Sequence, residues 1–456
     1  MVGKTTAGGP DELFLDGFES PPPGTKAWQL LYGRPSAGGV GSDKDGLIAL
    51  DSDSSGNVYA LLDRRFRDDR LGRPLILIEV DATGMLVDSR QLFFSSTVEP
   101  KDLRRFANGD FLIAIDDELI RIDASGGLVW EKTVRRDPFA FGRMNIRRVR
   151  LDEQENLYVA GDFNPSEPGP DRAFLAKLDS NGEGIWLRSW NVDTFEERVR
   201  LSVSGNGNAW VTSRAPEESD FDRAYSVYGF DASGNPLGQA SFTHPGNLNI
   251  RIRHMDTVAS DAGSLVVGIY APRVDGEFQA FVFQAEMDNL GAISSVQQAG
   301  WVIDSFIQGV TRVSDPVRTT DGRIAAVIGA DDSYAVLRIG PSDSSDRFLF
   351  AIQRGDGTSP YIDDDDHPVF VVPGENGTLR VGGTSEVPET VSPLALPVAS
   401  IRADIAGAAT NETIFSDILV IEDGAESFSV SDDTLGVSDD PEEGDEDTLL
   451  FSISSD

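Results

Sequence analysis

A short unit, made of a Gly- or Asn-rich turn followed by an apolar strand, recurs along almost the whole chain. Its seven copies are SSGNVYALL (54–62), ANGDFLIAI (107–115), EQENLYVAG (153–161), GNGNAWVTS (205–213), DAGSLVVGI (261–269), TDGRIAAVIG (320–329) and ENGTLRVGG (375–383). The residues that open these strands are 46 to 59 positions apart. A period of this length indicates one structural unit that is built seven times.

A second element of each unit is an apolar strand that ends in Asp-x-x-Gly. The copies are LILIEVDATG (75–84), ELIRIDASG (118–126), AFLAKLDSNG (173–182), AYSVYGFDASG (224–234), AFVFQAEMDNLG (280–291) and VASIRADIAG (398–407), with YAVLRIGPSD (334–343) in the sixth place. Asp caps its own backbone in tight turns, and Gly adopts positive φ. The pattern therefore predicts a tight turn after each of these strands, including 398–407 in the seventh unit.

Two further strands complete each unit. One follows the Asp-x-x-Gly turn, as in GIWLRSW (184–190), and one precedes the first turn, as in IRRVRLD (146–152). No sustained helical periodicity is present. One four-stranded unit cannot bury both of its faces, whereas seven units arranged radially can. We therefore predict an all-β fold, a seven-bladed β-propeller with four-stranded blades and extra N- and C-terminal strands.

The third unit, LDEQENLYVAGDF followed by AFLAKLDSNGEGIW, resembles a bacterial β-propeller repeat family. The pattern of that family is roughly D-x-x-G-N-x-Y-V-x-G, then F-x-x-K-L-D-x-x-G, then W. Units one and four match in part, and units five to seven keep the spacing but lose the Asn, Tyr and Trp. The resemblance covers about residues 46–420. It implies a propeller in an exported bacterial protein and carries no catalytic residues.

The repeat predicts three regions in the chain. Residues 1–24 form an N-terminal docking segment and linker, residues 25–421 form the propeller, and residues 422–456 form an acidic C-terminal extension. Two segments could supply the strand that closes the ring, TKAWQLLYG (25–33) and ETIFSDILVI (412–421). One of them would then be surplus and could pair elsewhere.

Charge restricts the partners of the chain. The net charge of −37 repels nucleic acid and anionic membrane surfaces, and no apolar run is long enough to span a membrane. We therefore predict no nucleic-acid partner and no membrane insertion. Sixteen Asp and Glu but no Lys or Arg follow Arg402, whereas residues 61–150 carry seventeen Lys and Arg against fifteen acids. We hypothesise that the acidic tail contacts this Arg-rich region, in the same subunit or the next.

Apolar residues within the acidic termini are candidates for assembly contacts. DELFLDGFES (11–20) precedes a proline spacer, and DTLLFSISSD (447–456) ends the chain. The first segment resembles an lFxDGFE element near the ends of exported proteobacterial proteins, which implies an extracellular or cell-surface location. A disordered segment is the alternative at each end. The candidate assembly residues are Leu13, Phe14, Leu15, Phe18, Leu449, Leu450, Phe451 and Ile453.

Two acidic loops are candidates for a Ca²⁺ site, since hard oxygen ligands suit this ion. YIDDDDHP contains Asp363, Asp364, Asp365 and Asp366, and LDSDSSGN contains Asp51 and Asp53. A solvated loop and a plain turn are the alternatives for these two segments. The chain has no cysteine, and its three histidines lack metal-binding spacing. We predict no cofactor other than a possible Ca²⁺.

The sequence favours a non-enzymatic function. No catalytic constellation is visible, and surplus apolar strands are present at the termini. We predict a secreted or cell-surface binding or structural protein that can self-assemble through its terminal strands. The partner is then a second copy, another surface protein or a glycan. The alternatives are a Ca²⁺-dependent hydrolase or lyase with its site in the propeller channel, and a carbohydrate- or protein-binding module.

Overall fold

The computed structural model describes strands and turns across most of the chain. All regular elements in this part are β-strands, and none is a helix able to cross a membrane. The described residues are 26–32, 44–65, 74–94, 99–136, 144–163, 172–192, 199–214, 225–243, 251–271, 273–274, 277–278, 281–300, 312–313, 316–319, 322, 324–330, 333–339, 347–354, 370–374, 379–385, 389–393, 406–409, 415–417, 419–423, 428–432 and 447–453.

Four consecutive strands form each of the first four sheets, which we number along the chain. Sheet 1 contains β2 (Lys44–Ser52), β3 (Val58–Arg65), β4 (Leu75–Val80) and β5 (Leu86–Phe94). Sheet 2 contains β6 (Pro100–Arg105), β7 (Phe111–Ile115), β8 (Glu118–Ile122) and β9 (Leu128–Arg136). Sheet 3 contains β10 (Met144–Leu151), β11 (Leu157–Phe163), β12 (Arg172–Leu178) and β13 (Gly184–Asn191). Sheet 4 contains β14 (Arg200–Val203), β15 (Ala209–Arg214), β16 (Tyr225–Phe230) and β17 (Pro236–Thr243).

The remaining sheets follow the same antiparallel plan. Sheet 5 contains β18 (Arg251–Ser260), β19 (Gly263–Ala271), β22 (Phe281–Asp288) and β23 (Ile293–Gly300), with a small hairpin of β20 (Arg273–Val274) and β21 (Glu277–Phe278). Sheet 6 contains β24 (Arg312–Val313), β25 (Val317–Arg318), β26 (Ile324–Ala330), β27 (Ser333–Ile339) and β28 (Arg347–Arg354). Sheet 7 begins with β29 (Phe370–Pro373) and β30 (Leu379–Ser385).

The first strands of the sheets contact one another in chain order. Each first strand from β2 to β18 contacts the first strand of the next sheet. Strand β29 contacts β25 and β26 of sheet 6 and β2 of sheet 1. The contacts therefore close a circuit. An all-β chain of antiparallel sheets joined in this way has a propeller-like fold, which confirms the predicted fold class at this level.

The hydrophobic core lies between consecutive sheets, because each sheet is apolar on both faces. One cluster packs Leu61 and Leu77 of sheet 1 on Ile113 and Ile120 of sheet 2. Similar clusters join sheets 2 and 3, sheets 3 and 4, and sheets 4 and 5. Val372 of sheet 7 completes a cluster of sheet 1 side chains. Each sheet thus depends on its neighbours for burial, as the repeat pattern predicts.

The Asp-x-x-Gly segments form tight turns, as predicted, after β4, β8, β12, β16 and β22. In the third sheet, Asp179 Oδ1 accepts the backbone N–H of Asn181 and of Glu183, each at 2.9 Å. Gly182 donates its N–H to the Asp179 carbonyl and has φ of 81°, a conformation that favours glycine. The same bonds recur at Asp81, Asp123, Asp231 and Asp288.

The turn predicted at the end of 398–407 is wrong at Ala406 and Gly407, while residues 398–405 lie outside the described part. Ala406 and Gly407 do not form a turn but belong to strand β32 (Ala406–Ala409), which pairs with β17 of sheet 4. The third position in sheet 7 is taken by β36 (Asp447–Ile453), which pairs with β30. Asp-x-x-Gly is a local pattern, and it does not determine which free strand edge a segment will meet.

The C-terminal part of the chain pairs with the outer strands of the sheets. We call the strands after β30 the tail strands. They are β31 (Glu389–Pro393) on sheet 6, β32 on sheet 4, β33 (Phe415–Asp417) on sheet 3, β34 (Leu419–Asp423) on sheet 2, β35 (Phe428–Asp432) on sheet 1 and β36 in sheet 7. The tail therefore passes around the molecule against the order of the sheets. Residues 394–405, between β31 and β32, lie outside the described part.

Both termini meet in sheet 7. Strand β1 (Lys26–Tyr32) pairs with β36, and β36 pairs on its other side with β30. The N-terminal segment 25–33 is thus the outer strand of this sheet, whereas the alternative segment 412–421 contributes to β33 and β34. The order β29, β30, β36 and β1 joins the two ends of the chain in one sheet.

The acidic tail meets basic strands, in agreement with the charge hypothesis. The register places Asp432 of β35 opposite Arg90 of β5, and Asp423 of β34 opposite Lys132 of β9. The charge asymmetry of the sequence therefore corresponds to pairing within one chain.

Candidate functional site on the first strands

The predicted calcium ligands lie in two parts of the chain. Asp363, Asp364, Asp365 and Asp366 are outside the described residues, whereas Asp51 is the next-to-last residue of β2 and Asp53 lies in the turn after it. Among the residues that the structure describes, no group of three or more His, Asp or Glu is placed to hold a metal. The calcium site stays a prediction.

The predicted assembly residues are also divided. Leu13, Phe14, Leu15 and Phe18 lie outside the described residues, whereas Leu449, Leu450, Phe451 and Ile453 belong to β36. Within the chain, β36 has a neighbouring strand on each side. Assembly through these residues stays a prediction, and it would require β36 to leave or exchange its place in sheet 7.

Asp53 holds its turn together. Its Oδ1 accepts the backbone N–H of Ser55 at 2.9 Å and of Asn57 at 3.0 Å. Its Oδ2 accepts the Tyr59 hydroxyl at 2.9 Å and the Asn57 amide at 3.1 Å. Partial burial opposes ionisation of this carboxyl, but the hydrogen bonds from Tyr59, Asn57 and Ser55 lower its pKa. The carboxylate thus acts as a turn cap.

Asp51 joins sheet 1 to sheet 2. Its Oδ1 accepts the N–H of Ser52 at 2.9 Å, and its Oδ2 accepts the N–H of Arg105 in β6 at 2.8 Å. Burial raises the pKa of Asp51 to about 7, although these two N–H groups act in the opposite direction. The nearby Asp102 raises the pKa further, and Arg150 lowers it.

Asp102 makes the equivalent connection one sheet later. Its Oδ1 accepts the N–H of Leu103 at 2.9 Å, and its Oδ2 accepts the N–H of Val149 in β10 at 2.8 Å. Arg150 Nη1 lies 2.9 Å from Oδ2, and Arg104 Nη2 lies 3.2 Å from Oδ1. Two carboxylates on adjacent first strands therefore bind the backbone of the following sheet.

Arg104 connects three sheets. Its Nε donates to the Val149 carbonyl of sheet 3 at 2.8 Å. Its Nη1 donates to the Leu103 carbonyl at 2.9 Å and to the Leu50 carbonyl of sheet 1 at 3.4 Å. We call Asp51, Asp102, Arg104 and Arg150 the first-strand cluster. Charged groups at low exposure are favourable only when paired and hydrogen-bonded, and here backbone groups and opposite charges supply the partners.

The raised pKa of Asp51 gives a prediction for pH. The ordinary value for Asp is 3.8 and the folded value about 7, so the folded chain holds this proton more tightly than the unfolded chain. The stabilisation is complete below the unfolded pKa and is lost as pH rises through about 7. We expect Asp51→Asn to gain stability relative to wild type between about pH 5 and about pH 8 in urea unfolding.

Asp53→Asn is the matched control for this experiment. The folded pKa of Asp53 is lowered, so its stabilisation is present above the unfolded value and is lost only at lower pH. The stability difference between Asp53→Asn and wild type should therefore be constant from about pH 5 to about pH 8. If the stability difference from wild type changed equally with pH in both variants, Asp51 would not be the source of the pH dependence.

A second set of polar contacts joins sheets 2, 3 and 7 to the Asp-x-x-Gly turn of the following sheet. In sheet 3, Lys177 Nζ and Trp186 Nε1 both donate to the Ala232 carbonyl of sheet 4, each at 3.2 Å. Arg121 of sheet 2 donates to the Ser180 carbonyl of sheet 3 at 2.7 Å, and Arg380 of sheet 7 donates to the Ala82 carbonyl of sheet 1 at 3.3 Å. Lys177, Arg121 and Arg380 each lie between two neighbouring sheets, and we call this space the inter-sheet slot.

The sequence reasoning missed the inter-sheet slot, although its signal was present. Lys177 and Trp186 stand at the Lys and Trp positions of the repeat pattern, and Arg121 and Trp130 have the same positions in sheet 2. The cation two residues before the turn Asp, Lys177 in sheet 3 and Arg121 in sheet 2, suggested no ligand, because its partner is a backbone carbonyl of another unit. Such a partner has no side-chain signature.

Comparisons with known proteins give no further assignment. No protein-family model matches the sequence, and no curated protein matches it. A solved protein from Lactobacillus plantarum is similar at 13% identity with a TM-score of 0.38, over 74% of this chain and 95% of that one. A protein of unknown function from Bacteroides caccae is similar at 11% identity, with a TM-score of 0.31, over 74% and 93%.

A third similar structure is a chain of the complex of Drosophila Plexin A with Semaphorin 1b. It shares 8% identity with a TM-score of 0.29, over 66% of this chain and 88% of that chain. The class that the described sheets define is therefore the β-propeller-like proteins, on the grounds of their strand order and contacts. Fold alone does not determine a function within this class.

Proposed function

We propose that the chain is a seven-bladed β-propeller of the bacterial repeat family, located outside the cell or at its surface. We propose that it acts as a non-enzymatic binding or structural protein that associates with a second copy of itself. The closed circuit of first strands supports the blade number, and the repeat pattern supports the family. Detection of the protein in the medium or on intact cells of its host tests the location.

The observation that supports the proposal of self-association is a set of exposed aliphatic side chains near one end of the outer strands. Val87, Val129 and Ile185 occupy the same position in sheets 1, 2 and 3, six residues after the turn Asp. Each is about half exposed, and Leu290 of sheet 5 is 81% exposed. We call these residues, together with Met85 and Leu128, the apolar rim. Contiguous exposed apolar patches mark interaction surfaces, and the shared strand position of these residues is the reason for proposing one here.

The tail strands stop short of the apolar rim. Pairing with the tail begins at Arg90 in β5, at Lys132 in β9 and at Leu187 in β13. Within the described part of the chain, the residues before these positions have no strand beside them at the outer edge. Exposed strand edges with apolar side chains accept further strands. Since the chain's own tail occupies the adjoining residues, a strand of a second copy is the partner that continues this pairing.

The first-strand cluster does not favour the hydrolase alternative. That alternative requires carboxylates of several sheets to meet at one Ca²⁺. In the described first strands, Asp51 and Asp102 bind backbone N–H groups, and Arg104 and Arg150 lie beside Asp102. These groups hold sheets together, which is a structural role.

Salt gives the test of self-association. Two copies with a net charge of −37 repel each other, and salt screens this repulsion while apolar contacts persist. We expect sedimentation velocity to show more association at about 0.5 M than at about 0.05 M salt. Replacing Val87, Val129 and Ile185 by Thr should weaken the association by about tenfold or more, because each substitution removes roughly 1 kcal/mol of apolar burial.

Gln154→Thr is the control, because Gln154 is exposed in a turn outside the apolar rim. It should leave the association unchanged. A monodisperse wild-type monomer at both salt concentrations would overturn the proposal of self-association. If the triple variant and wild type associated equally, the apolar rim would not be the surface through which the copies associate.

A further inference from the structure

The apolar rim lies at one end of the sheets, and strand pairing identifies that end. In sheet 3, Leu157 begins β11 and pairs with Leu178, which pairs with Gly184 at the start of the outer strand β13. Ile185 of the apolar rim directly follows Gly184. The first residues of the second strand and of the outer strand thus mark the rim end of a sheet.

The chain enters sheet 7 at this same end. Leu379 begins β30 and pairs with Ile453 of β36, and Ile453 pairs with Lys26 at the start of β1. Since β1 is the outer strand of this sheet, Lys26 has the place in sheet 7 that Gly184 has in sheet 3. The chain that precedes Lys26 therefore meets the fold at the level of the apolar rim.

Residues 11–20, DELFLDGFES, are the apolar part of the chain that precedes Lys26. They lie outside the described residues, and their sequence contains four large apolar side chains, those of Leu13, Phe14, Leu15 and Phe18. Three prolines and a glycine at positions 21–24 follow them. Proline lacks the N–H that a strand ladder needs, and a proline-rich spacer is semi-rigid. The spacer therefore separates residues 11–20 from the ladder that holds β1.

Strand β9 of sheet 2 offers the rim a backbone edge as well as apolar side chains. Leu128 and Val129 are each 48% exposed. Pairing with the tail begins only at Lys132, so none of the described strands lies beside the four residues from Leu128 to Glu131 at the outer edge. An edge of this kind fits an extended apolar segment, which adds main-chain hydrogen bonds and apolar contacts together.

The length of the spacer restricts which rim residues the segment meets on its own chain. Residues 21–25 span at most about 18 Å. Stacked sheets lie about 10 Å apart, and the outer edges of radially arranged sheets lie further apart than that. Residues 11–20 thus begin no further than sheet 1 of their own chain, whereas Val129 and Ile185 on sheets 2 and 3 are within reach of a segment from another copy.

We propose that residues 11–20 of one copy dock on the apolar rim of a second copy, as an extended segment that continues the pairing of the tail strands. The four apolar side chains of the segment then cover the exposed aliphatic groups of the rim. Donor and acceptor surfaces differ, so the interface is heterologous and extends from copy to copy. This inference rests on the proposed self-association and names the part of the second copy that binds the rim.

The test mixes two variants that each lack one side of the interface. The segment variant is Phe14→Ser with Phe18→Ser, and the rim variant replaces Val87, Val129 and Ile185 by Thr. In sedimentation velocity at about 0.5 M salt, each variant alone should associate at least tenfold more weakly than wild type. An equimolar mixture should recover a species of two chains and nothing larger, because the segment variant keeps its rim and the rim variant keeps its segment.

Thr5→Ser with Thr6→Ser is the control, since it alters the same part of the chain and keeps the four apolar residues. It should associate as wild type does. A mixture that stays monomeric while wild type associates would overturn this inference and leave self-association in place, and so would equal association of the segment variant and wild type. A lower urea midpoint of the segment variant without any loss of association would place the segment on its own chain, which also overturns the inference. A wild type that never associates would overturn both proposals.

Discussion

Leu450→Pro should destabilise the chain by about 3 kcal/mol or more, because it breaks a strand that is paired on both sides. Leu450 lies opposite Leu30 of β1 and opposite Gly382 of β30. Proline has no N–H to donate, and its ring fits poorly inside a sheet. Since sheet 7 joins both ends of the chain, its loss also releases β1. We expect a lower urea midpoint and partial unfolding of sheet 7 at low denaturant.

Ser429→Pro is the matched control. Ser429 belongs to β35, which among the described strands pairs with β5 alone and lies at the outer edge of sheet 1. An edge strand tolerates proline, and at most one hydrogen bond is lost, about 1 kcal/mol. Equal destabilisation by the two prolines would contradict the central position of β36. A small loss of unfolding free energy in both proline variants would indicate that sheet 7 can form without β36.

Trp190→Ala should destabilise the protein by about 3–5 kcal/mol. Trp190 of sheet 3 is completely buried. Its ring packs on Tyr228 and Phe230 of sheet 4, with centroid distances of 4.6 and 5.7 Å, and its Nε1 donates to Ser213 Oγ at 3.0 Å. Truncation leaves a cavity between two sheets and a buried hydroxyl without this donor. Urea unfolding followed by circular dichroism measures the loss.

Ile185→Ala is the comparison, since Ile185 lies on the same strand but is about half exposed. We expect a change within about 0.5 kcal/mol. Trp190→Phe should fall between the two variants, because it keeps part of the stacking and loses the hydrogen bond. A small effect of Trp190→Ala would mean that sheets 3 and 4 do not rely on this contact.

The turns and strands of the repeats were predictable because their causes are local. An Asp such as Asp179 caps the turn that it begins, and Gly182 supplies the positive φ that the turn needs. Alternating and continuous apolar runs likewise predicted the strands between these turns. The same reasoning failed at residues 398–407, where the apparent turn residue Gly407 lies in a strand opposite Phe242.

The candidate site was less predictable than the fold. Asp51 was predicted only as a candidate calcium ligand, with a plain turn as the alternative, and its contact with the Arg105 N–H of the next sheet was not predicted. Arg104 and Asp102 were noticed only as part of a basic region. Their contacts with Val149 and Leu50 connect residues about 50 positions apart, and the sequence contains no sign of such pairs.

The sequence by itself determined that this chain forms many short strands in repeated units, because turn chemistry and hydrophobic periodicity act within a few residues. It also determined the acidic character of the tail and the basic character of residues 61–150. Only the tertiary structure decided where the tail strands lie and that β36 takes the third position in sheet 7. The physical reason is that a free strand edge accepts any extended segment that reaches it, so the pairing depends on the whole fold.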